Sequence, residues 1–212
     1  MTDKSINHWE TYETGNGFLS YLKDSSHARD FCRVQIKHLI DTRQIHSLIE
    51  VGVGGLNEIR SLASVYKSRP EFKFTGTDWT PRFITEAKNE FPEFTWQQLD
   101  IVTCNVEESM KHDAVYSQHV LEHCPGLNPP LTNMLKMTRK VLFNIFFMPP
   151  SVNETINFSQ YPLYHNTYSI NHIRAVCDYH GFDASLIPYN NADKKDAGEC
   201  QDEMVLVAVR RA

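Results

Sequence analysis

Short β-rich apolar runs alternate with amphipathic stretches along most of the chain, and this alternation constrains the fold more than any other feature. Residues 47–51 (SLIEV), 72–77, 94–98, 114–117 and 141–147 read as strands. Helices are expected over 27–43, 56–66, 81–91 and 130–140, with a short one over 106–111. Thr80 stands as an N-cap ahead of Pro81, which suits the first helical position. A last helix over 171–180 stops at Gly181. Strands 184–188 and 204–209 then follow with no helix between them. Strands that take turns with helices form a mostly parallel sheet covered on both faces. The expectation is a doubly wound α/β fold whose mostly parallel seven-stranded sheet ends in an antiparallel last strand.

Length and composition bound the rest. A chain of 212 residues, 41% hydrophobic and 22% charged, is long enough for one globular domain with a sizeable core. An N-terminal helical cap or lid is expected over residues 1–44, ahead of one compact unit over 45–212. The formal net charge of -5 disfavours nucleic acid as a partner, since a non-specific binder presents a basic surface. No basic-then-apolar leader is visible in Met1–His8. The most apolar run, 141–148, is broken by Asn144 and too short to cross a bilayer. Five cysteines without a C-x-x-C spell neither a disulfide framework nor a zinc ribbon, so a cytoplasmic setting is expected. The oligomeric state is not legible.

The first strand closes on Ile49-Glu50-Val51-Gly52-Val53-Gly54-Gly55-Leu56. Glycines there permit a tight turn and close approach of a ligand to the backbone. A dinucleotide fingerprint needs glycine where Asn57 stands, and the phosphate-loop string is absent. Glu50 is the telling residue. A carboxylate beside the turn repels pyrophosphate and attracts a cation. A turn serving only helix–strand packing is the plainer alternative.

This E-x-G-x-G pattern resembles motif I of the class I S-adenosylmethionine (SAM)-dependent methyltransferases, in which Leu56 replaces a frequent third glycine. Tyr116-Ser117-Gln118-His119-Val120-Leu121-Glu122-His123 is similar to the fourth-strand segment of their small-molecule group. Residues 135–142, His165-Asn166-Thr167-Tyr168-Ser169 and Gly181-Phe182 continue that likeness. It implies a Rossmann-like methyltransferase fold with SAM as cofactor and a small-molecule substrate. Glu50, Gly52, Gly54, Asp78, Trp79, Asp100, Ile101 and Gln118 become the candidate cofactor-binding residues. Asp78 ends the second strand, where an acid accepts hydrogen bonds from both ribose hydroxyls. Trp79 either flanks the adenine or covers the sheet end. Asp100 is the acid expected near the adenine amino group, with Ile101 under the ring, or else an ordinary turn aspartate. Gln118 would act mainly through its main chain.

His119 and His123 lie just past the fourth strand and are the candidate catalytic residues, since a histidine titrates near working pH and can take a proton from an acceptor. Glu122 is expected to cap or pair with a neighbour. H-x-x-E-H also reads as an inverted zinc-protease string. One helical turn would place His119, Glu122 and His123 on one face, and with His165 they could serve a metal-assisted RNA 2′-O-methyltransferase. Because a Glu-His pair here is common without metal, no metal is expected. An N-P-P-[YF] signature does not follow strand four, which favours oxygen or carbon as the methylated atom. Trp9 and Tyr12 are expected to line an acceptor pocket, while Tyr161, Tyr164 and Tyr168 are divided between pocket and core. The rivals are a dinucleotide oxidoreductase and a non-catalytic binding protein on the same fold.

Overall fold

The computed structural model describes residues 26–157, 163–190 and 202–212. Helix α1 (His27–Asp41) precedes β1 (Ser47–Val51), α2 (Asn57–Lys67), β2 (Lys73–Asp78), α3 (Pro81–Glu90) and β3 (Thr95–Gln98). Then come β4 (His112–Gln118), α4 (Asn128–Met137), β5 (Thr138–Phe146), α5 (Ile170–Tyr179), β6 (Phe182–Tyr189) and β7 (Glu203–Arg210). The expected 106–111 helix is one short 3₁₀ turn, Glu108–Met110.

The seven strands run in the order β3-β2-β1-β4-β5-β7-β6. Strands β1 to β5 are parallel, whereas β7 is antiparallel to both β5 and β6. The expected sheet is therefore the observed one. Strand alternation divides its core in two. Leu48, Phe74, Tyr116 and Phe143 face Ile36 of α1 and Ile59 and Leu62 of α2. Ile49, Val115, Leu142 and Leu206 face Leu131 and Met134 of α4 and Ile173 of α5. The described part of the expected N-terminal cap is α1. It buries Ala28, Cys32, Ile36 and Ile40 in the first of these layers.

Several boundaries differ from expectation by a few residues, most of all the α4–β5 junction. Helix α4 ends at Met137 rather than residue 140, and β5 begins at once with Thr138. The Thr138 hydroxyl donates to the Met134 carbonyl at 2.8 Å, and Arg210 of β7 donates to the Thr138 carbonyl at 2.7 Å. These bonds satisfy groups at the helix end where no loop intervenes. Thr80 does occupy the N-cap of α3, but its side chain makes no capping bond. Its amide instead donates to Asp78 Oδ1 at 2.9 Å.

Candidate functional site

Crossovers of a parallel sheet leave the carboxyl ends of its strands along one rim, where ligands of open α/β sheets bind. The glycine turn sits there, after β1. Gly52 and Val53 both donate to the Thr77 carbonyl, at 2.8 and 3.0 Å, which fixes the turn to β2. Gly52 has φ +82° and a Cβ on it would run into Val120. Gly54 has φ +42°, and a Cβ there would meet nothing within 4 Å, so that side of the turn faces open space. Leu56 adopts φ 63°, the left-handed region that glycine prefers. The position where the resemblance calls for a glycine thus keeps glycine-like backbone in a residue 2% exposed.

Three acids approach this turn. Glu50 is 4% exposed, and burial, followed by the charges of Glu58 and Asp78, pushes its carboxyl well above the usual carboxylate range. Glu58 on α2 is held by Arg33 of α1 in a two-bond pair, with Nε and Nη2 each 2.8 Å from a carboxylate oxygen. Asp78 accepts from Gly54 N at 3.0 Å through Oδ2 and from Thr80 N through Oδ1. Burial raises its pKa and those bonds oppose the rise. A rim carrying three buried acids and one open glycine turn suits a cationic guest with ribose-type hydroxyls.

The remaining candidate cofactor residues are placed as follows. Trp79 is half-buried, and its carbonyl accepts from Gln98 at 3.0 Å. Asp100 Oδ1 accepts from Val102 N and Oδ2 from the Thr103 hydroxyl, both at 2.9 Å, so its carboxylate closes a turn beyond β3. Ile101 is 3% exposed in the second core layer, and its carbonyl accepts from Asn133 at 2.8 Å. Gln118 ends β4 and meets Arg29 of α1 through its side chain. A guanidinium can only donate, so the amide oxygen faces Arg29, 2.5 Å from both Nε and Nη2, and the amide nitrogen donates to Tyr116 Oη at 3.0 Å.

His119 and His123 do not share a helical face. His119 has φ 55° and lies outside the single 3₁₀ turn Leu121–His123. Its Nε2 is 2.8 Å from Glu203 Oε1 on β7. His123 Nδ1 is 2.8 Å from the Tyr164 carbonyl. A carbonyl can only accept, so that nitrogen carries the proton. Glu122 is fully buried with its carboxyl pushed up to about 8 by desolvation. Its Oε1 accepts from Phe147 N at 2.6 Å, so it does cap a neighbour, the exit of β5. These three directions diverge, and among the described residues no group of three or more His, Cys, Asp or Glu side chains could hold a metal ion.

Phe147 gathers the histidines instead. Its ring centroid is 5.3 Å from that of His119, 5.2 Å from His123 and 6.0 Å from His165. Tyr168 is core rather than pocket: it is fully buried and donates to the Leu121 carbonyl at 2.7 Å. Trp9, Tyr12 and Tyr161 lie outside the described residues. Glu203, Arg29 and Phe147 escaped the sequence reading. Glu203 and Arg29 meet the rim only through contacts across most of the chain, and nothing local marks them.

Residues 49–142 match the family described as "Methyltransferase domain". No curated protein matches the chain in sequence. Among solved structures, magnesium protoporphyrin IX methyltransferase from Synechocystis PCC 6803 is similar at 13% identity and TM-score 0.66, covering 99% of this chain and 100% of that one. The 1,6-didemethyltoxoflavin-N1-methyltransferase of Burkholderia thailandensis is 11% identical with TM-score 0.66, over 98% of this chain and 88% of that one. YcgJ from Bacillus subtilis is 10% identical with TM-score 0.61, over 88% of this chain and 99% of that one. Residues 49–142 thus match a methyltransferase domain, and the sheet order with its glycine turn is the Rossmann-like methyltransferase fold of these similar structures.

Proposed function

We propose that this chain transfers a methyl group from SAM to a small-molecule acceptor, at oxygen or carbon. The observation that carries the reading is the acid-rimmed glycine turn: Glu50 and Asp78, both buried, flank a Gly54 that opens onto free space. Two of the similar structures hold S-adenosylhomocysteine (SAH). SAM offers a sulfonium and an ammonium and no phosphate, which is the charge complement of this rim.

The residues divide the work. Gly52 and Gly54 bring backbone close to the donor, and Asp78, held by the Gly54 and Thr80 amides, is the acid for the ribose hydroxyls. Asp100 and Ile101 are assigned to the adenine end on the family resemblance, with Trp79 beside the β2 exit. The main chain of Gln118 borders the reacting end. The donor supplies an electrophilic methyl group, so the protein's task is alignment and proton removal. Phe147, His119, His123 and His165 form the aromatic wall on which the acceptor would lie. No helix among the described residues is long and apolar enough to cross a membrane. Together with the net charge of -5, this favours a small diffusing acceptor and a cytoplasmic setting over a nucleic acid.

Calorimetry with SAM and SAH tests the reading. Binding of both in the micromolar range is expected. Absence of heat and of any thermal shift with either ligand removes it. Mass spectrometry of small molecules that co-purify with the protein then addresses the acceptor.

A further inference from the structure

Leu121, Glu122 and Cys124, in and just after the 3₁₀ turn that follows β4, are fully buried, so their main-chain carbonyls need hydrogen-bond partners. All three find them on Asn166 and Tyr168. The Tyr168 hydroxyl donates to the Leu121 carbonyl at 2.7 Å. The Asn166 main-chain amide donates to the Glu122 carbonyl at 3.1 Å, and Asn166 Nδ2 to the Cys124 carbonyl at 2.7 Å. We propose that Asn166 is the positioning residue of the acceptor side of the site, holding the His165 ring against His123 and Phe147. This rests on the methyltransferase reading above and deepens it.

Asn166 is fully buried, and its side-chain amide is committed at both ends. A carbonyl only accepts and a main-chain N–H only donates, so the neighbours fix which end is which. Nδ2 faces the Cys124 carbonyl and also donates to Tyr168 Oη at 3.0 Å, while Oδ1 accepts from Asn157 N at 2.9 Å. That last bond joins the outgoing stretch of the β5–α5 connection, 147–157, to the returning one, 163–169. The His165 amide donates to the Asn157 carbonyl at 2.9 Å, and Thr155 and Thr167 exchange main-chain bonds at 2.8 and 3.0 Å. Removing Asn166 would therefore strand buried carbonyls on the turn and loosen the two stretches from each other.

What this network holds in place is the acceptor wall. His165 directly precedes Asn166, and its ring centroid lies 5.4 Å from that of His123 and 6.0 Å from that of Phe147. His123 is tied to the same returning stretch, with Nδ1 2.8 Å from the Tyr164 carbonyl. Phe147 is tied to the same turn: Glu122 Oε1 accepts from its amide at 2.6 Å, while the Glu122 carbonyl accepts from Asn166. One turn thereby fastens both ends of the β5–α5 connection, and the three rings stand beside those fastenings. The donor side is held separately, by the bonds among Gly54, Asp78 and Thr80 at the ends of β1 and β2, in which Asn166 takes no part. Loss of Asn166 should release the wall and spare donor binding.

Diethyl pyrocarbonate, which acylates accessible neutral imidazole, reads the wall without knowledge of the acceptor. Labelling of His165, His123 and His112 is followed by peptide mass spectrometry in the wild type, Asn166→Ala and Asn166→Asp, with SAH affinity measured by calorimetry. Asn166→Asp keeps the shape and an oxygen for Asn157 N, but an ionised carboxylate donates nothing to the Cys124 carbonyl. In both variants His165 and His123 should label on the order of ten-fold faster, because the bonds that close this segment are lost. His112, buried at the start of β4 and bonded to Thr75 and the Met110 carbonyl, should label at the wild-type rate. SAH affinity should stay within about two-fold, as expected for independent sites. A merely structural Asn166 would raise His112 labelling and weaken SAH along with the rest. That outcome, or unchanged labelling of His165 and His123, overturns the proposal. If neither variant folds, hydrogen exchange in the wild type decides: the amides of Asn166 and Thr167 should be as protected as those of β5, and rapid exchange overturns the proposal. Failure of SAH to bind the wild type overturns the donor reading instead, since labelling is read without SAH.

Discussion

Asp78 Oδ2 accepts from the amide of Gly54 at 3.0 Å, so the acid at the end of β2 sets the conformation of the turn at the end of β1. One carboxylate therefore shapes the donor site and also forms part of it. Asp78→Ala removes the bonds that the Gly54 and Thr80 amides make to a buried carboxyl, among others. SAH affinity should fall at least about ten-fold, since one such bond is worth roughly 1.5–3 kcal/mol. Asp78→Asn keeps an acceptor oxygen and should lose less. Calorimetric titration of both variants checks the ranking.

Glu50 offers a readout of charge complementarity. Burial, then the charges of Glu58 and Asp78, push its carboxyl well above the usual carboxylate range and so favour the protonated form. A cationic guest reverses that balance, so SAM binding should release protons, and more of them than SAH binding, since SAH lacks the sulfonium. Titrations in buffers of different ionisation enthalpy measure the release. Identical proton counts for SAM, SAH and Glu50→Gln would contradict it.

The left-handed backbone at Leu56 sets strain against burial. Relieving it with glycine gains about 1–2 kcal/mol. Deleting the buried leucine side chain loses more, since truncation to alanine already costs about 2–5 kcal/mol. Leu56→Gly should therefore lower stability in urea denaturation. Gly52→Ala should lower it too, because φ +82° and the Val120 side chain both oppose a Cβ.

Glu122 gives stability a pH dependence. Its folded pKa, about 8, lies above the ordinary 4.5. Between these values the folded state holds the proton and the unfolded state releases it, so this group's contribution is complete below about pH 4.5 and lost as pH rises through about 8. Relative to Glu122→Gln, the wild type should lose stability steadily across that window. Chemical denaturation of both proteins from pH 5 to about 8.5 checks the slope, and parallel curves would refute it.

Arg33 and Glu58 join α1 to α2 with side chains 20% and 5% exposed. Arg33→Ala strands a buried carboxylate and should cost about 3 kcal/mol. Glu58→Gln in that background should recover part of the loss, as a double-mutant cycle in denaturant would show.

Local chemistry alone determined the element order, the parallel sheet with its antiparallel end, the glycine turn, and the acids at 50 and 78. Strand and helix periodicity and the glycine turn are properties of neighbouring residues, so a sequence displays them. Tertiary structure decided the rest. His119 and His123 part company because β4 gives way to a left-handed residue and a 3₁₀ turn, not to a helix. Asp100 spends its carboxylate on its own loop. His119 finds Glu203 only because β7 inserts beside β5 in reverse, bringing together residues 84 positions apart. Such meetings depend on how strands are ordered and directed in the finished sheet, and no stretch of the chain records that order.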